Sequence, residues 1–171
     1  MEICRRCNLI HGNKYNNINY GNPKAKLLIL RSYASAAECT SGKFNSGKQN
    51  KYLLSVLKDL GLTKNDYYIT NVLRCYPNNP IYKINIDICT DYLKELLKQD
   101  DKVILTLGKL AYNFVSGKSI NINVQRIVGK TLYIGNHVII TNYSIGYILH
   151  NKDKEDEFYE YFRKAIYEIN L

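Results

Sequence analysis

The chain has 171 residues, room for one packed core and too few for two comfortable domains. Apolar residues make up 46%, which argues against disorder, and no apolar run reaches the ~18 residues of a membrane span. The formal charge of +9, from 24 Lys+Arg against 15 Asp+Glu, suits a polyanionic partner, although lysine-rich helix faces carry such charge without one.

The N-terminus is charged and then polar, without the apolar stretch of a signal peptide, so a cytoplasmic location is expected. Residues 26–30 (KLLIL) read as a buried strand introduced by the turn residues Gly21, Asn22 and Pro23. A long polar loop over residues 31–50 follows, of the kind that carries function in compact domains. Leu53, Val56, Leu57 and Leu60 repeat at helical spacing, and Gly61 stops that helix. Tyr67–Leu73 is a second strand. Ile86, Cys89, Leu93, Leu96 and Leu97 mark a second helix, and Val103–Leu107 a third strand. A short helix over residues 109–115 opens at Gly108. Residues 120–131 show no clear pattern. Residues 132–134 and 138–141 are short strands about a turn at Gly135 and Asn136. Phe158, Phe162, Ala165, Ile166 and Ile169 form the stripe of a terminal helix. This alternation predicts one α/β domain over residues 1–171, with a largely parallel sheet covered on both faces. Ligands bind such sheets beyond the carboxyl ends of the strands, which singles out the loops after residues 30, 70 and 141.

Five cysteines in a chain of this kind argue against a disulfide framework and for metal ligation. Cys4 and Cys7 form C-x2-C, and Cys75 and Cys89 bracket the link from the second strand to the second helix. Four thiolates can hold a [4Fe–4S] cluster or a zinc ion. Cys75 and Cys89 could equally be ordinary buried core residues. Cys39, in the polar loop, reads as a free thiol.

The cysteines and their neighbours resemble the family 4 uracil-DNA glycosylases, the iron–sulfur branch that includes a domain fused to some phage DNA polymerases. CRRCNL resembles the family's opening, GNPKAKLLIL its lead into the first strand, and DYYITNVLRCYP its Y-I-T-N-V-x-K-C-x-P stretch. VILTLGKLAYNFVSG resembles its third strand and helix, and Arg126 with Gly129 echoes an Arg-Gly turn. The resemblance implies a three-layer α/β/α sandwich around a mostly parallel four-stranded sheet. It also implies a [4Fe–4S] cluster on Cys4, Cys7, Cys75 and Cys89, with zinc as the alternative metal.

The same alignment shows departures. Where the family reads Gly-Glu-Ala-Pro-Gly, this chain reads Arg31-Ser32-Tyr33-Ala34-Ser35. Ser32 therefore replaces the water-placing carboxylate, and side chains at Arg31 and Ser35 are expected to crowd the pocket. Asn45 stands where an aromatic residue stacks on uracil, with Phe44 one position away. In the second motif Ser144 replaces the histidine that stabilises the departing base, and His150, six residues on, is expected to be an ordinary surface residue. Asn71 matches the asparagine that reads the uracil edge, since an amide can both donate and accept.

These losses predict a protein without uracil excision, and the catalytic positions Ser32 and Ser144 as degenerate. DNA is then the expected partner, as for an accessory protein of replication or repair in a phage or mobile element. Arg31, Lys43, Lys48 and Lys51 are candidates to meet phosphates. Tyr15, Tyr20, Tyr33, Tyr143 and Tyr147 are candidates to stack on bases. A decoy that captures a DNA-mimicking glycosylase inhibitor, an adaptor for a replication protein, and an active glycosylase for another modified base are the alternatives.

Overall fold

The computed structural model describes residues 4–16, 18–99, 101–118 and 123–170. Six strands form one sheet: β1 (Tyr20–Gly21), β2 (Leu27–Tyr33), β3 (Tyr67–Leu73), β4 (Val103–Leu107), β5 (Thr131–Ile134) and β6 (His137–Asn142). Their order is β1-β3-β2-β4-β6-β5. The four inner strands run parallel, and β1 and β5 close the edges antiparallel. The sheet thus has six strands where four were expected. Tyr20–Gly21 is a two-residue pairing with too little sequence to announce itself, and β5 follows from the hairpin at Gly135 and Asn136.

Seven helices accompany it among the described residues: α1 (Ala36–Ser41), α2 (Lys48–Asp59), α3 (Lys83–Cys89), α4 (Asp91–Gln99), α5 (Lys109–Ser116), α6 (Ile145–His150) and α7 (Glu155–Ile169). The second predicted helix is two, α3 and α4, parted at Thr90, whose hydroxyl bonds back to the Ile86 carbonyl. The inner strands alternate between two buried faces, as period-two side chains require. Leu27, Ile29 and Leu105 pack under α2, α6 and α7, through Leu53, Ile148, Phe158 and Phe162. Leu28, Leu30 and Ile104 pack on the other side under Leu93 of α4 and Ala111 of α5. The result is the three-layer arrangement that the strand–helix alternation predicts. No helix is long and apolar enough to cross a membrane among the described residues.

The predicted polar loop over 31–50 is more ordered than expected. β2 continues through Arg31 to Tyr33, and α1 begins after two intervening residues. Ser35 caps α1 by accepting from the Glu38 amide at 3.3 Å, while the Glu38 carboxylate accepts from the Ser35 amide at 2.8 Å. This reciprocal box satisfies two otherwise orphaned helix N–H groups.

Candidate functional site

The chain order reverses about β2, which pairs with β3 on one side and β4 on the other. Beyond the carboxyl ends of these strands lies a cleft of about 390 Å³. Ser32 and Tyr33 enter it from β2, Leu107 from β4, and Ser144 and Tyr147 from the turn and helix after β6, with Gln49 of α2 and Lys109 of α5 on its walls. The two motif positions meet across Gly108. A Cβ built on Gly108 would lie 3.1 Å from the Ser144 Cβ and 3.5 Å from the Ser32 Oγ, and its φ of +95° already favours glycine. Ser144 caps α6, accepting from the Tyr147 amide at 3.3 Å. Among the described residues that line the cleft there is no Asp, Glu or His. His150 is exposed at the end of α6 and does not line it.

Arg31 is buried at the cleft floor, and its charge is satisfied inside the protein. Its guanidinium donates to both Glu38 carboxylate oxygens, at 2.8 and 3.2 Å, and to the Asn50 side-chain oxygen. Asn50 in turn donates to the Phe44 carbonyl at 2.6 Å. The guanidinium lies 4.8 Å from the centre of the Phe44 ring, and Tyr20 stacks on that ring at 4.8 Å. Phe44 is thus enclosed between a cation and a tyrosine, and it does not line the cleft. Glu38 and Asn50, which the sequence reading missed, are the groups that hold Arg31. The S-x-x-E spacing of Ser35 and Glu38 was the available signal for the first of them.

Asn71 faces Arg31 across the β2–β3 pairing. It is buried and donates to the Ile18 carbonyl at 3.4 Å, while its side-chain oxygen has no partner. Asn71 therefore keeps an idle acceptor, but beside Arg31 on the neighbouring strand and outside the cleft lining.

The structure corrects several expected contacts. Arg31 is buried and ion-paired, so it is not available to phosphates. Ser35 caps α1 and does not crowd the cleft. Tyr143 is buried, its hydroxyl donating to Glu157 at 2.9 Å and its ring stacked on Tyr147 at 5.0 Å, so it offers no free face to DNA. Tyr20 is occupied with Phe44, and Tyr15 lies against Gly42. Lys43, Lys48, Lys51 and Asn45 are exposed, Tyr33 is exposed, and Tyr147 is half-buried at the cleft. Cys39 is a buried thiol on α1, pushed up by that burial.

The other four cysteines gather at a second place. Cys4, Cys7, Cys75 and Cys89 line one small cavity, together with Leu9, Ile10, Ile88 and two cations, Arg6 and Arg74. All are free thiols. Among the described residues no three His, Cys, Asp or Glu side chains are placed to hold one metal ion. The Arg74 amide donates to the Cys89 sulfur at 3.2 Å, and the Asn16 amide to the Cys75 sulfur at 3.6 Å. Asn16 also grips the Cys4 backbone at both ends, accepting from its N–H at 3.0 Å and donating to its carbonyl at 2.7 Å. Burial pushes the Cys75 thiol up to about 12 and raises Cys89 as well. Coordination reverses that preference, because a metal-bound thiol is deprotonated. Arg74 stacks over the Tyr92 ring at 3.4 Å, and its buried Nε has no hydrogen-bond acceptor. Tyr92 extends the contact inward, its hydroxyl donating to the Asn71 carbonyl.

Comparison with known proteins agrees with this geometry. Residues 18–169 match the family model described as the uracil DNA glycosylase superfamily. The chain is 30% identical to a type-4 uracil-DNA glycosylase of Archaeoglobus fulgidus, in an alignment covering 94% of this chain and 85% of that one. It is 27% identical to the type-4 uracil-DNA glycosylase of Thermotoga maritima, over 91% of this chain and 82% of that one.

Proposed function

The chain belongs to the uracil-DNA glycosylase superfamily, and on that premise we propose that it is an iron–sulfur member that binds DNA without releasing uracil. The observation that carries this reading is the cleft itself: Ser32 and Ser144 face each other across Gly108, and among the described residues neither a carboxylate nor an imidazole lines the space between them. Cutting a base from its sugar requires an extruded nucleotide, a stabilised leaving base and a placed water. Loss of one charge-stabilising donor typically lowers the rate by ~10²–10³, and loss of a positioned acid or base by ~10²–10⁴. The buried Arg31–Glu38–Asn50 set adds a steric obstacle, because a guanidinium covers the ring of Phe44, the aromatic residue next to the stacking position at Asn45.

DNA binding is supported by the charge of +9 and by the exposed Lys43, Lys48 and Lys51 at the start of α2 and in the segment before it. An accessory role in replication or repair of a phage or mobile element, from a single domain over residues 1–171, fits that activity.

A [4Fe–4S] cluster is the group that the four cysteines fit best. Four thiols lining one cavity with three apolar side chains and Arg74 suit such a centre. The partnerless Arg74 Nε and the N–H donors to Cys75 and Cys89 suit its negative charge. When bound, the cluster supplies a cross-link between the N-terminal segment and the β3–α3 link. Arg74 would offset its charge, Arg6 being paired with Asp91 at 2.7 Å, while Leu9, Ile10 and Ile88 would limit the access of water.

The test is direct. Purified protein should release no uracil from single- or double-stranded DNA above a buffer blank, and should bind duplex DNA with an affinity that falls steeply with salt. Release of uracil that disappears on mutating Ser32 or Asn71 overturns the reading. Anaerobically prepared protein should carry about four irons per chain, as a cubane on four thiolates requires. One zinc per chain would replace the cluster and leave the family assignment standing.

A further inference from the structure

We propose that β5 is a self-pairing edge: two copies of this chain join antiparallel along residues 131–133, and one sheet continues into the next across a two-fold axis.

The ladder between β5 and β6 tells which groups face outward. The Thr141 amide donates to the Lys130 carbonyl at 3.3 Å. Alternation from that bond makes Leu132–Ile139 and Ile134–His137 the hydrogen-bonded pairs of the hairpin. Thr131 and Tyr133 therefore turn their N–H and C=O groups away from β6. Among the described residues no other backbone group bonds to these four. Tyr133 is 71% exposed, so the edge beside it is open. An open row of unmet backbone groups is a template for another strand.

The spacing of the four groups selects a second copy as that strand. With the axis at Leu132, Thr131 lies opposite Tyr133 of the second copy, and Tyr133 opposite its Thr131. Both are hydrogen-bonded pairs, so four bonds between the chains satisfy every outward group of both strands. Leu132 then meets Leu132 of the second copy, and Lys130 stands opposite an isoleucine, so no like charges are paired. Natural edges are blunted by charge, proline or a bulge. Residues 131–134 (TLYI) contain neither a charge nor a proline. The opposite edge, β1, has only two residues, and Lys64 lies over its Tyr20 ring at 5.1 Å. Three residues a side bury less than the ~1,200 Å² of stable complexes, so the association is weak and reversible. The charge of +9 on each copy opposes it, and salt relieves that repulsion.

The experiment is sedimentation of the full chain from micromolar to millimolar concentration at low and high salt. The expected result is a monomer–dimer equilibrium that salt strengthens, opposite in sign to the salt dependence of DNA binding. Amide hydrogen exchange then locates the contact. The Leu132 and Ile134 amides should be protected at every concentration, and those of Thr131 and Tyr133 only as the dimer forms. Tyr133→Pro removes two of the four bonds between chains and none between β5 and β6, and should weaken the dimer on the order of tenfold. Tyr133→Lys places a charge on the edge and should weaken it too, whereas Tyr133→Phe should retain it. A monomer throughout the range overturns the proposal. So does a dimer that leaves the Thr131 and Tyr133 amides unprotected, or one indifferent to both the proline and the lysine.

Discussion

Arg31 and Arg74 stand at the carboxyl ends of neighbouring strands, and they meet their charge in opposite ways. Arg31 has a carboxylate of its own at 2.8 Å and a second acceptor in Asn50. Arg74 pairs with no carboxylate among the described residues; it lies on the Tyr92 ring and faces a cavity of thiols. A buried cation that owns its counter-charge marks a place the fold has closed to outside anions. A cation whose neighbours are thiols is placed to offset the negative charge of the metal–sulfur group proposed above. The two regions therefore differ in kind: the cysteine cavity has a lining that suits a cofactor, and the space around Phe44 is packed as core.

The largest expected effect tests the first half of that contrast. Arg31→Met leaves the Glu38 carboxylate buried and unpaired and should destabilise the protein by about 3–5 kcal/mol, measured by urea unfolding. Adding Glu38→Gln should recover most of the loss, because the glutamine still caps α1. Equal stability of Arg31→Met and the parent would show that the pair is not what closes the pocket. Gly108→Ala asks whether the cleft floor matters apart from that pair. It places a Cβ 3.1 Å from Ser144 at a positive φ, and should cost about 1–3 kcal/mol in the same assay.

Arg74→Gln probes the second half. It removes a partly desolvated cation–π contact worth about 1–2 kcal/mol and should lower the iron retained per chain, read by metal analysis and visible absorption. Arg74→Lys should restore part of the iron. Unchanged iron in Arg74→Gln would detach this arginine from the cofactor site.

The smallest effect concerns the cleft wall. Hydrogen bonds from Lys154 and then from Tyr143 hold the Glu157 carboxyl below its ordinary value. A depressed value means that its contribution is complete above the usual glutamate pKa of ~4.3 and disappears as pH falls through the lower folded value. Acid should therefore loosen the Tyr143–Tyr147 stack late, visible as a shift of the Tyr147 ring resonances, and Glu157→Gln should flatten that titration.

Much of this was legible in the sequence, and the gaps have physical causes. The strands at residues 26–30, 67–73 and 103–107 are continuous apolar runs, the signature of strands buried on both faces. The terminal helix declared itself through Phe158, Phe162 and Ala165, and all three are buried. By contrast α1 and α6 have six residues each, too short for periodicity to show. The four cysteines were readable because their spacing and their family resemblance point the same way, and they do share a cavity. The fate of Arg31 was not readable as an ion pair. In the sequence it looks like one more cation of a basic chain, and only the turn of the backbone into α1 brings Glu38 beneath it. The same holds for Tyr143, whose burial depends on α7 delivering Glu157.

The Asn16 amide has a consequence for how the N-terminal segment is held. It grips Cys4 from both sides and reaches Cys75, 59 residues further along the chain, as well. The clasp consists of ordinary amide hydrogen bonds, so the seating of Cys4 beside Cys75 draws on the protein's own groups and does not depend solely on a centre that the thiols would hold.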